Sequence, residues 1–179
     1  RFPADSASRL AWAFASVRFA HVGLFDALAD YICRHVAVFD TQHVALLTWS
    51  FATCRVDVPV AYRAVAVFAK GGKLWGLRPE EFCCILWAFT RAGWVDEQLY
   101  WDMLQVADLR NGEFVPESCL NLLSAVAWLR IEGRVDIGAF SEDIGKVFGF
   151  LRQGLVDGQI VPPDADALKM AMRAISLPA

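Results

Sequence analysis

The sequence predicts an all-α protein, a right-handed α-solenoid of about four two-helix repeats plus part of a fifth. Three observations lead there. Trp12, Trp49, Trp87 and Trp128 recur at intervals of 37, 38 and 41 residues, a period typical of helical-repeat arrays. The residues around each Trp agree in register. Hydrophobic residues make up 56% of the chain and charged residues only 21%, an apolar excess that stacked repeats bury and a lone helix pair does not.

The register is carried by several columns. Two residues before each Trp stand Leu10, Leu47, Ile85 and Val126, all aliphatic. Four before stand Ser8, Ala45, Cys83 and Ser124, all small. Two after stand Phe14, Phe51 and Phe89, with Arg130 in the fourth copy. The first helix of each copy begins at Asp5, at Asp40, at Arg78-Pro79-Glu80-Glu81 and at Pro116-Glu117-Ser118. Acidic residues and Pro suit the unpaired amides and the dipole of a first turn. Leu10, Phe14 and Val17, then Leu47, Phe51 and Cys54, follow the i, i+4, i+7 spacing of one helical stripe. On this pattern Trp12, Trp49, Trp87 and Trp128 are core residues beside Phe14, Phe51 and Phe89. An indole flanked by small and aliphatic side chains reads as packing, not as a base-stacking platform.

A short turn follows each first helix, and an Asp in three copies (Asp57, Asp96, Asp136) is placed to cap the second. The second helices are expected over Gly23–Val36, Pro59–Lys70, Glu97–Leu109 and Ile137–Gln153, each with an aromatic near its start: Phe25, Tyr62, Tyr100 and Phe140. The repeats then span roughly 4–38, 39–77, 78–114 and 115–160, with a partial fifth at 161–179, all in one domain. Gly71-Gly72, Asn111-Gly112 and the stretch 154–163 fall between copies.

Other classes of protein fit poorly. The longest run without Asp, Glu, Lys or Arg is Thr41–Cys54, 14 residues, short of the roughly 18–20 that span a bilayer. Five cysteines without CxxC spacing give no disulfide framework, so a reducing interior is expected. The three histidines, His21, His35 and His43, form no metal-ligand pattern. No phosphate loop, GxSxG or HExxH is present. Gly71-Gly72-Lys73 lacks both the upstream Gly and the following Ser or Thr of a phosphate loop. A non-enzymatic protein is expected, without cofactor, metal or small-molecule substrate.

The Leu-x-Trp-x-Phe-Ala core, as in Leu10-Ala-Trp-Ala-Phe-Ala and Leu47-Thr-Trp-Ser-Phe-Ala, resembles the octotricopeptide-type and heptatricopeptide-type repeats. These accompany the RAP domain in organellar RNA-binding proteins. The likeness covers roughly residues 4–153, and no RAP domain is seen. It implies a mitochondrial location, RNA and neighbouring proteins of a large assembly as partners, and a place in a mitochondrial ribosome or a role in RNA stability.

The residues themselves offer one column suited to RNA. Arg18, Arg55, Trp94 and Arg134 stand in the turn between paired helices, with Arg91 close by in the third copy. Arg recurring along one edge is able to track phosphates. The alternative is that each Arg complements a helix C-terminus and meets the following Asp, as Arg55 with Asp57. With a net charge of −3, a scaffold that binds neighbouring proteins without touching RNA is the second functional expectation.

Overall fold

The computed structural model describes residues 3–110, together with 113, 118, 125, 128, 149, 153 and 156–158. Among the described residues the chain is all-helical, with no strand. Most of the expected second helix at 137–153 (149 and 153 are described and helical) and the partial fifth repeat at 161–179 lie outside the described residues, as do Arg134, Asp136 and Phe140.

Among the described residues the α-helices with defined bounds are α1 (Ala4–Ser16), α2 (Val22–His35), α3 (Thr41–Cys54), α4 (Pro59–Phe68), α5 (Pro79–Ala92) and α6 (Glu97–Leu109). Their starts are chemically explicit. The Asp40 carboxylate accepts from the His43 amide at 2.8 Å and caps α3. The His21 ring accepts from the Leu24 amide at 3.1 Å and caps α2. At α5 the Glu81 carboxylate reaches back to accept from the Arg78 amide at 3.0 Å. Arg78 has no acceptor to return, so its guanidinium instead donates to Glu81 Oε1 at 2.9 and 2.7 Å. Pro occupies the first turn of both α4 and α5. Asp57 does not cap α4 as expected: the N-cap position is Val58, followed by Pro59.

The chain divides into two compact units, Arg1–Asp96 and Glu97–Ala179. In the first, α3 packs between α1 and α5, and α2 packs on α4. The small residues of the repeat make the first of these contacts possible. Ser8, Ala45 and Cys83 are all buried, with Ala7, Ala11 and Ala15 lining the same side of α1. Phe25 of α2 meets Phe51 of α3 edge-on at 6.0 Å, and Tyr62 of α4 meets Phe89 of α5 in the same manner at 5.8 Å. Each pair joins an aromatic of one copy's second helix to the Phe of the next copy's first helix. Such pairs contribute about 0.5–1.5 kcal/mol beyond their area. In the second unit, α6 buries Leu99, Tyr100, Met103 and Val106 along one stripe.

The tryptophans depart from the expectation. Trp12 is 49% exposed, and Trp49, Trp87 and Trp128 are half-buried. Phe14 is also half-buried, whereas Phe51 and Phe89 are fully enclosed. The reason is the closeness that the small residues permit. Helices brought together over Ala and Ser leave no gap wide enough for an indole, so the ring lies along the rim of the groove between them.

Candidate nucleic-acid interface

Three first helices end in the same way. The amides of Arg18, Arg55 and Gly93 donate to the carbonyls of Ala15, Ala52 and Thr90 at 2.9, 3.2 and 3.1 Å. The next amides, Phe19, Val56 and Trp94, donate back to Phe14, Phe51 and Phe89 at 2.9, 3.1 and 2.9 Å. This is the Schellman arrangement, which places the residue just past the helix in the left-handed region. Gly93 adopts φ +66 there at no steric cost. Arg18 and Arg55 adopt φ +53, and they are the non-glycine residues with positive φ among those described. An L-residue in that region carries a penalty of about 1–2 kcal/mol. The first two copies thus hold Arg where Gly is sterically preferred.

The bonding also corrects the register of the column. Gly93, not Trp94, is the counterpart of Arg18 and Arg55, because intervals of 37 and 38 residues match those of the Trp series. Trp94 is the counterpart of Phe19 and Val56, one residue further on.

The third copy supplies its cation from two residues earlier. Arg18, Arg55 and Arg91 line one open groove of about 350 Å³ together with Thr53 and Trp87. Among the described residues, none of these three arginines forms an ion pair or a side-chain hydrogen bond, whereas Arg9, Arg34, Lys70, Arg78 and Arg110 each engage a carboxylate. The expected meeting of Arg55 with Asp57 is not formed. The groove is therefore a place where positive charge from three helix ends accumulates without internal compensation. Its walls offer donors only from the guanidinium forks, plus the Thr53 hydroxyl and an indole face.

Charge is arranged along the first helices by edge. Asp5, Asp40, Glu80 and Glu81 stand at the starts, and Arg18, Arg55 and Arg91 at the ends. Each end complements its own helix dipole. At the start edge Asp5 pairs with Arg9 at 2.7 Å and lies 3.7 Å from His43 Nε2. Glu81 is buried, and both of its carboxylate oxygens accept from Arg78.

Beside the groove lies a second open cavity of about 500 Å³, between the ends of α3 and α5 and the start of α4. It shares Arg55 and Arg91 with the first and adds Asp57, Tyr62 and Trp94. The Tyr62 and Trp94 rings stack at 6.4 Å with 24° between their planes. Burial, and to a lesser degree Asp57, pushes the Tyr62 phenol well above its usual range, so its hydroxyl remains a proton donor.

Sequence reasoning singled out Arg18, Arg55 and Arg91, which the fold brings together, but assigned Trp87 to the core and passed over Thr53. The signal for Thr53 was present: with Ser16 it occupies the column of Arg91, four residues after the Trp. Arg134 lies outside the described residues. Among the described residues no group of His, Cys, Asp and Glu is placed to hold a metal, and no helix is long and apolar enough to cross a membrane. No known family model and no curated protein matches this chain.

Proposed function

We propose that this chain is a non-catalytic α-solenoid segment, similar to the octotricopeptide and heptatricopeptide repeats, that associates with organellar RNA. A structural part of a mitochondrial ribosome, or an RNA-stability factor, suits it best. The observation that carries this is the convergence of Arg18, Arg55 and Arg91 on one groove without side-chain partners among the described residues. Two of the three hold a backbone conformation that disfavours them. Strain kept at such positions points to function, because Gly relieves it in the neighbouring copy. Guanidinium groups at successive helix ends stand about 10 Å apart, a spacing able to follow a phosphate backbone. The solenoid arrangement draws support from the recurring Phe25–Phe51 and Tyr62–Phe89 junctions between copies.

A protein-binding scaffold is the second reading, favoured by one feature. Val60 and Val67 are seven residues apart on α4, so they share a face, and both are exposed.

A salt titration of binding to single-stranded RNA separates the two. If the three arginines contact phosphates, replacing all of them by Ala makes the slope of log affinity against log salt shallower by about 2. Thermal stability should not fall. An unchanged slope, or no measurable binding at low salt, removes the RNA role and leaves the scaffold.

A further inference from the structure

The second cavity carries a buried oxygen atom that calls for an explanation. Tyr62 is only 3% exposed, and its hydroxyl is buried with no hydrogen-bond partner among the described residues. A buried hydroxyl left unpaired destabilises a fold by about 1–3 kcal/mol. Packing does not require it. The counterpart of Tyr62 is Phe25, which makes the same edge-on contact with the next copy's Phe and has no hydroxyl. The counterparts of Trp94 are Phe19 and Val56, so the stacked Tyr–Trp wall belongs to this junction and not to its predecessor.

Around that wall the cavity gathers three different chemistries. Arg55 and Arg91 offer positive forks for a phosphate. Asp57 is an exposed acceptor within electrostatic reach of Tyr62. Trp94 and Tyr62 offer an aromatic surface with two donors, the indole N–H and the phenol hydroxyl. The volume of about 500 Å³ lies inside the about 300–1,000 Å³ of small-ligand sites. Phosphate, sugar hydroxyl and base edge are the three recognition elements of a single nucleotide.

We infer that this cavity takes one unstacked nucleotide of a single-stranded RNA. In that arrangement Arg55 and Arg91 hold its phosphate, Asp57 accepts from the ribose 2′-hydroxyl, and the base lies at the Tyr62–Trp94 wall where the tyrosine hydroxyl donates to it. The shared arginines connect this nucleotide to a strand whose neighbouring phosphates follow the groove of Arg18, Arg55 and Arg91. The assignment rests on the RNA association proposed above. It adds that the strand is single, that RNA is preferred over DNA, and that one base is held apart from its neighbours. RNA-binding proteins commonly splay out single bases in this way, and the 2′-hydroxyl is what distinguishes RNA from DNA at one site.

The test uses the full chain and fluorescence anisotropy with a labelled single-stranded RNA decamer, a DNA decamer of the same sequence, and adenosine and uridine monophosphates as competitors. The RNA decamer is expected to bind about tenfold more tightly than the DNA. Asp57→Ala, which leaves no acceptor there, should shrink that preference to about twofold or less. Tyr62→Phe should weaken RNA binding by about 2- to 10-fold while the melting temperature holds or rises, as the Phe25 junction suggests. Asp57→Ala and Tyr62→Phe proteins that bind both decamers as the parent does overturn the cavity assignment. The RNA association itself survives that result if the triple arginine variant still weakens binding. Mononucleotides competing as strongly as the decamer overturn the assignment to a strand and mark a free-nucleotide site. An RNA decamer that does not bind at low salt sinks both proposals at once.

Discussion

Arg55 shows at the scale of one residue how stability and function are set against each other. Its left-handed backbone is where Gly stands in the third copy. Arg55→Gly is therefore expected to raise unfolding free energy by about 0.5–1 kcal/mol in urea titration, while lowering RNA affinity. A loss of stability would mean that the guanidinium serves the fold. Cys84 gives a pH signature of its own. Burial first, and Glu81 second, raise its thiol from 9.0 to about 11. The folded state holds the neutral thiol more tightly than the unfolded chain does, so this contribution is complete below pH 9 and is lost as pH rises towards 11. The Cys33 and Cys54 thiols are raised in the same sense, mainly by burial. Cys84→Ser should flatten, without abolishing, the fall in stability between pH 9 and 10, above which Tyr62 begins to contribute. A steeper fall in the Ser variant would contradict the burial of this thiol.

Element by element, the sequence was most informative where backbone chemistry is local. Pro59 and Pro79 in first turns, Asp40 as a cap, and Gly93 past a helix end all sit where their conformational preferences place them. The helix expected at Gly23–Val36 is found at Val22–His35, and that at Glu97–Leu109 is found as drawn. What periodicity could not give was depth within a packed layer. A Trp and the Phe two residues later stand about 200° apart around a helix, so they face different neighbours, and only the packing of those neighbours decides which of them is enclosed. The small residues that announce the repeat are the ones that bring the helices too close for an indole. Phe51→Ala should accordingly destabilise by about 3–5 kcal/mol, and Trp12→Ala by less than half as much, measured by chemical denaturation. Equal losses would put the indole back in the core. The site was legible as a list of arginines but not as a groove. The meeting of Arg91 with Arg18 and Arg55 depends on how α1, α3 and α5 are laid side by side.

For the molecule as a whole, the first 96 residues form a compact unit. Its layer of α1, α3 and α5 and its α2–α4 pair are joined by aromatic contacts, and the Lys70 ammonium holds Asp96 at 2.6 and 2.7 Å across 26 residues. A chain ending at Asp96 should retain its helical circular dichroism and melt in one cooperative transition. A broad, non-cooperative melt would show that residues beyond Asp96 are needed to complete the core. Apolar composition alone pointed to burial between stacked units. It did not reveal that the unpaired positive charge collects on one edge, because net charge sums over residues that the fold keeps apart.

The connectors after α2 and α4 differ more than the intervals they span. α2 runs 14 residues and is followed by a single 3-10 turn at Val36–Val38, whereas α4 runs 10 and gives way to Ala69–Lys73 and Leu74–Gly76. The distance from Trp to Trp is nonetheless 37 residues in one case and 38 in the other. A shorter rear helix is compensated by a longer return, so the front helices keep a constant pitch. Gly72, at φ +86 with nothing within 4 Å of the position a Cβ would take, sits at the loosest point of that return. Insertions there would lengthen the thread at the back of the fabric while the weave at the front kept its gauge. In such a protein the rear connectors are the natural place for lineages, or engineers, to add length without retuning what the front edge grips.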